Sequence, residues 1–233
     1  IESDMYEFLY RLLKENGADI SICSHYRDKG KKSVAKYSSG EQFVFTRDEG
    51  IRALVVDRRI RNYVWDKLYK RRLFSGITFP LNRIFEDIAI SYRIFYKAEK
   101  IVVREFPKYH YVIRDGSAMQ SKYDPLKEHN LFLSVYEQVY FVLEKGIWDQ
   151  APIYVLRRGI RLIDHMSMLR PSSSTEGVIK DVLAKMHEFD DVSCCQLGLS
   201  LSLKRYFIFH YMSAYRKTYR FVRLILKSKR HKF

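Results

Sequence analysis

Between Ala18 and Arg114 the apolar residues switch back and forth between two periods, and beyond Tyr123 only one of them remains. Met5, Phe8, Leu9, Leu12 and Leu13 follow helical spacing, with Ser3 or Asp4 placed to cap the helix and Gly17 to end it. Ala18, Ile20 and Ile22 then alternate with polar residues, as in a strand. Thr46-Arg47-Asp48-Glu49 is a capping box for a helix over 47–57. Asn62 to Tyr69 is aromatic and reads as part strand, and Phe85 to Ala98 as a helix with Ile88, Tyr92 and Phe95 on one face. Lys100–Glu105 and Tyr109–Arg114 read as two short strands joined around Pro107. Past Tyr123 the spacing predicts helices near 124–145, 150–168, 176–189 and 200–228. Two periods followed by one predict a mixed α/β fold with an α-helical C-terminal region. Asp28 to Gly40, rich in Lys, Ser and Gly, reads as a surface loop, and Pro171-Ser172-Ser173-Ser174 as a linker.

A chain of 233 residues with 47% hydrophobic residues has enough material for a real core, which excludes global disorder. Its three cysteines, Cys23, Cys194 and Cys195, make no disulfide framework and have no zinc-ligand spacing. No apolar run approaches the roughly 18 residues of a membrane span, so a cytoplasmic location, peripheral on the inner face of the cell membrane, is expected. The formal net charge of +15 is uneven. One basic cluster runs from Arg58 to Arg72, and from Val192 to Phe233 there is no acidic residue at all. Such fields attract phosphate groups, whether on nucleotides, lipids or nucleic acids.

Chemistry concentrates between Tyr63 and Met119. Glu86 and Asp87 are adjacent carboxylates at the start of the helix that follows Phe79-Pro80. A short carboxylate at a helix start is stabilised there by the helix dipole, and can also hold an oxygen in fixed geometry to accept a proton. Trp65-Asp66-Lys67-Leu68-Tyr69 precedes them, and Tyr109-His110-Tyr111-Val112-Ile113-Arg114-Asp115-Gly116-Ser117 follows. Read alone, the first run fits a buried aromatic strand and the second a strand closed by an Asp-Gly turn.

In order and spacing these runs resemble the acceptor-side half of a family 2 glycosyltransferase, the inverting kind built on the GT-A fold. The resemblance covers residues 1–120, and implies a partial GT-A fold there. It is followed by a helical extension over 121–170, a linker at 171–175 and a helical, basic amphipathic region over 176–233. It implies that Asp87 is the catalytic base, with Glu86 as its orienting or acceptor-binding neighbour. It also implies substrate contacts at Trp65, Asp66 and Lys67, Lys67 meeting a phosphate, and at Arg114 and Ser117 near the donor's diphosphate. The family usually has Trp-Asn-Lys-Leu-Tyr where this chain has Asp66 in place of the amide. The partners implied are a nucleotide-diphosphate sugar and a glycan or lipid-linked acceptor, in polysaccharide or glycolipid synthesis. A divalent cation, Mg or Mn, is implied on the diphosphate, held by an Asp-x-Asp motif. No Asp-x-Asp occurs in this sequence. Ile1 to Glu7 is similar to the segment that follows that motif, so the metal-binding acids are expected upstream of Ile1, and this chain by itself is expected to lack most of the donor site.

The segment 200–233 joins apolar and aromatic residues to a run of Lys and Arg. That pattern fits an anionic membrane surface and equally a packed helix with a solvated basic face. The rival to an enzyme is a non-catalytic basic scaffold that binds a membrane surface or nucleic acid. No nucleic-acid motif is present and the basic residues fall in two separated groups, which makes nucleic acid the weaker partner.

Overall fold

A computed structural model describes residues 1–81, 83–114 and 124–230, with side chains in the last stretch up to 223 and at 225 and 226. The chain forms two compact units, one of residues 1–123 with 144–147 and one of 124–143 with 148–233. Its first part is a mixed α/β structure, and its remainder is helical.

Helix α1 (Met5–Glu15) buries Met5, Leu9, Leu12 and Leu13. Neither expected cap closes it, because the Asp4 carboxylate instead holds the Lys108 ammonium at 2.5 Å. Strand β1 (Ile20–Lys29) is buried through its first six residues, the near-continuous burial of a central parallel strand. The expected loop after it is a β-hairpin: β1 continues to Lys29, turns at Gly30 with positive φ, and returns as β2 (Lys32–Lys36). Sequence reasoning missed it because the paired end of β1 and the edge strand β2 are polar and show no hydrophobic alternation.

Strand β3 (Gln42–Thr46) leads into α2 (Arg47–Val56). Both halves of the Thr46–Glu49 capping box form, the Glu49 carboxylate accepting the Thr46 N–H at 2.9 Å. Helix α2 lies so close to the sheet that a Cβ on Gly50 would stand 2.9 Å from Ile101. The aromatic run yields only three residues of strand, β4 (Lys67–Tyr69), then a short 3-10 turn (Arg71–Phe74) and α3 (Glu86–Tyr96).

Strand β5 (Lys100–Val112) is one strand where two were expected. Pro107 sits opposite Ser24 at a register shift between the parallel partners β1 and β5, so the ladder continues past a residue with no N–H to donate. The sheet order is β2-β1-β5-β3, with β4 pairing antiparallel to Ile20–Ile22 of β1. The core gathers Leu9, Ile20, Ile22, Leu54, Phe95, Ile101 and Val103.

The second unit packs α4 (Pro125–Glu144), α5 (Pro152–Met166), α6 (Ser173–His187), α7 (Cys194–Leu197) and α8 (Leu199–Arg230). Pro171–Ser174, expected as a linker, lies inside this unit, and Ser172 caps α6 through a reciprocal box with Thr175. Gly159 marks the closest approach of α5 to α6, since a Cβ there would overlap Met186. Helix α8 is interrupted at Tyr211, whose backbone is non-helical.

Candidate active site

Glu86 and Asp87 are the first two residues of α3. The residue before them, Phe85, has left-handed backbone angles (φ 65°, ψ 38°) and supplies no side-chain cap. A bulky residue in that region costs on the order of 1–3 kcal/mol and persists only where its surroundings enforce it. The consequence is local: the chain turns abruptly into the helix and sets Asp87 half-buried while Glu86 stays exposed. Asp87 Oδ1 accepts the Ile88 N–H at 2.8 Å. Burial pushes the Asp87 carboxyl above the usual range, and the charges of Glu86 and Asp57 push the same way, while the Ile88 N–H and Lys67 oppose. A half-buried carboxylate with raised proton affinity and its geometry pinned by a helix start is equipped to receive a proton.

The segment facing this carboxylate is tied down on both sides. Asp57, left-handed at the end of α2, accepts the N–H of Asn62, and Asn62 donates from its side chain to the Leu54 carbonyl at 3.0 Å. Ser91 of α3 donates to the Asn62 carbonyl at 3.0 Å, joining α3 to the loop that carries Tyr63 to Asp66.

Lys67 does not stand open to a phosphate, as the sequence suggested. Its side chain is fully buried, 2.5 Å from the Asp66 carboxylate, and its ammonium also donates to the Tyr63 carbonyl. Asp66 is likewise buried, so neither residue offers its charge to a substrate directly. Burial raises the Asp66 pKa, against the pull of Lys67. Replacement of the usual amide by Asp66 thus creates an internal ion pair beneath the site. Lys67 acts on groups around it, opposing the rise at Asp87 and lowering the pKa of His25.

Trp65 is half-buried in a stack of rings. Tyr63 lies 4.7 Å away on one side and Tyr109 of β5 4.2 Å away, both near parallel, with Tyr111 at 5.7 Å. His25 of β1 meets the Trp65 ring edge-on at 5.1 Å. Burial, reinforced by Arg61, Lys36 and Lys67, holds His25 down at about 4, so it is neutral at physiological pH and behaves as a member of the aromatic group. Two or three stacked rings make a flat, partly exposed apolar surface of the kind that receives a sugar ring.

Tyr69, the last residue of the aromatic run, has a buried hydroxyl with no hydrogen-bond partner among the described residues. Burial, with Asp66 and Asp87 nearby, raises its pKa well above the usual value, so it stays a neutral donor. The residue stood inside a quoted run, but nothing in the sequence distinguishes an orphaned hydroxyl from one hydrogen-bonded in a core. Cys23, by contrast, is inert: burial pushes its thiol up to about 12.

Arg114 is exposed just past the end of β5, where the Ile113 N–H donates to Asp28 at 2.8 Å. Among the described residues no hydrogen bond or ion pair joins it to Asp87 or to the Asp66–Lys67 pair. Ser117 lies outside the described residues. Among the described residues no group of three or more His, Cys, Asp or Glu could hold a metal ion. The residues described therefore do not fit the divalent cation that the resemblance implies, and the chemistry below is derived without it.

No family model matches the chain. It is 28% identical over 134 residues to Glycosyltransferase GlyG of Streptococcus pneumoniae serotype 4, covering 53% of this chain and 44% of that protein. It is 26% identical over 125 residues to Glycosyltransferase GlyA of the same organism, covering 50% of this chain and 18% of that protein. It is 31% identical over 84 residues to a processive diacylglycerol beta-glycosyltransferase of Mycoplasma pneumoniae, 36% of this chain and 24% of that protein. The chain thus spans less than half the length of these relatives, and over about half its own length it is similar to glycosyltransferases.

Proposed function

We propose that this chain carries the acceptor-side portion of an inverting glycosyltransferase of family 2, with a GT-A fold. The reaction moves a sugar from a nucleotide-diphosphate sugar to an acceptor hydroxyl. The observation that carries the reading is Asp87: a half-buried carboxylate of raised proton affinity, fixed at the head of α3 behind a left-handed Phe85. The likeness to named glycosyltransferases supports the reaction class.

In this mechanism Asp87 accepts the proton of the acceptor hydroxyl as its oxygen attacks the anomeric carbon. The new carbon–oxygen bond forms as the bond to the diphosphate breaks, and the nucleoside diphosphate leaves with that electron pair. Attack opposite the leaving group inverts the anomeric centre. Glu86 keeps the proton affinity of Asp87 high and orients the acceptor. The exposed part of the ring stack formed by Tyr63, Trp65 and Tyr109 receives the acceptor. The Asp66–Lys67 pair holds Trp65 and Tyr69 in place and offsets part of the negative charge at Asp87. Arg114 and Ser117 belong to the proposal as donor-side contacts, as does a divalent cation on the diphosphate. The acceptor is a glycan or a lipid-linked glycan; one relative is named for diacylglycerol.

Proton NMR of the product's anomeric coupling, against that of the donor, tests the stereochemistry. The mechanism requires inversion, and retention of configuration rules it out.

A further inference from the structure

Helix α8 is the longest element of the chain and holds a disproportionate share of its exposed large apolar side chains. On its first part Leu203, Tyr206, Phe207 and Tyr211 are exposed at spacings of three and four residues. On its second part Phe221, Val222, Ile225 and Leu226 are exposed, Phe221 to 65%. Exposed apolar residues grouped in this way mark an interaction site.

The charge carried by the helix itself is of one sign. Between Val192 and Phe233 there are ten Lys and Arg and no acid. Part of this charge is already engaged within the unit. Lys204 pairs with Asp164 at 2.5 Å, Arg216 with Glu176 at 2.7 Å, and Arg220 donates to the Ser167 carbonyl at 3.1 Å. These contacts dock one side of α8 on the ends of α5 and α6. Lys217 and Arg223 remain exposed beside the apolar residues. A cavity of about 700 Å³ opens along the same stretch, with Pro171, Met212, Lys217 and Phe221 in its wall.

We propose that the second part of α8 docks on an anionic lipid bilayer. Phe221, Val222, Ile225 and Leu226 enter the headgroup region, and Lys217 and Arg223 neutralise lipid phosphates. No helix among the described residues is long and apolar enough to cross a membrane, which fits a helix lying in the interface plane. The all-basic charge of the helix favours an anionic surface. This inference stands apart from the transfer chemistry, because it uses no residue of the Asp87 site.

Co-sedimentation of the intact chain with vesicles tests it. Vesicles of phosphatidylglycerol with phosphatidylcholine are compared with phosphatidylcholine alone, at low and high salt. The proposal expects binding to the mixed vesicles only, weakening as salt rises. The pair Lys217→Glu, Arg223→Glu should lower the partition coefficient by roughly tenfold or more, and Phe221→Ser, Ile225→Ser by roughly tenfold or more. Far-UV circular dichroism and melting temperature establish that both pairs fold. Equal binding to both kinds of vesicle, or undiminished binding by the folded variants, overturns the proposal. So does a concentration-dependent dimer abolished by Phe221→Ser, Ile225→Ser, which would give this face to a second copy. Tighter, salt-sensitive binding to single-stranded RNA than to the mixed vesicles overturns it as well.

Discussion

Trp65, from an irregular loop, and Tyr109, near the C-terminal end of the long central strand β5, stack with ring centroids 4.2 Å apart and planes 25° apart. With the Cys23 N–H, which donates to the Asp66 carbonyl, the contact fixes the loop against the sheet and leaves the surface of the ring stack partly open. If that surface receives the acceptor, Trp65→Phe should keep the stack and the melting temperature within a few degrees, yet raise the acceptor KM several-fold. Trp65→Ala should also lower stability, by about 1–3 kcal/mol, less than for a fully buried Trp because the ring is half exposed. Acceptor kinetics with calorimetry separate the two effects. An unchanged KM in Trp65→Phe removes the platform role.

Beneath that loop, Lys67 and Asp66 are a buried pair, and removing one member strands the other. Lys67→Met should destabilise the chain by about 3–5 kcal/mol. The double variant Asp66→Asn, Lys67→Met should recover much of that loss, since no uncompensated charge stays buried. Urea denaturation of the two single variants and the double variant gives the coupling. Additive losses would mean the two charges do not depend on each other.

The Tyr69 hydroxyl is buried with no hydrogen-bond partner among the described residues, a state that costs stability. Tyr69→Phe should therefore leave the melting temperature equal or higher. A clearly lower melting temperature would mean that the hydroxyl is hydrogen-bonded in the folded protein.

His25 supplies a pH signature. Its pKa in the folded chain is held at about 4, below the unfolded value of about 6.5, so the folded state resists taking the proton that the unfolded state accepts. Its effect on stability is absent above pH 6.5 and grows unfavourably as pH falls toward 4, by about 3 kcal/mol over the whole window. His110, whose hydrogen bonds to Glu2 and Asp28 raise its pKa, acts with the opposite sign: its contribution is present below pH 6.5 and fades as pH rises through the raised value. The wild type is therefore compared with His25→Leu by denaturation at pH 7 and pH 4.5. The wild type should lose about 2–3 kcal/mol more than the variant on acidification. Equal losses would mean that His25 is protonated in place.

Much of this architecture is legible in the sequence, for identifiable reasons. The Thr46–Glu49 box and the spacing of Ile88, Tyr92 and Phe95 are local patterns, and local patterns decide helices. The long β5 was harder, because Pro107 breaks a strand unless a register shift in the partner absorbs it, and that shift lies far away at Ser24. The β1–β2 hairpin pairs the polar end of β1 with the edge strand β2, a pairing that no hydrophobic alternation announces. At the site, the carboxylates at the head of α3 could be read from their position, but the left-handed Phe85 that aims them could not. Lys67 shows the limit most plainly. The resemblance implied that Lys67 meets a phosphate, and only the fold reveals that Asp66 and the Tyr63 carbonyl enclose it.

The central claim is that Asp87 is the base, and one substitution tests it on two readouts. The folded chain holds Asp87 above its usual pKa, so at neutral pH its ionised form costs stability, and an amide removes that cost. In the complete gene product, Asp87→Asn should melt at the same temperature as the wild type or higher. Transfer from the nucleotide-diphosphate sugar should fall on the order of 10²–10⁴-fold. A folded Asp87→Asn protein that turns over at near wild-type rate contradicts the assignment and the mechanism built on it.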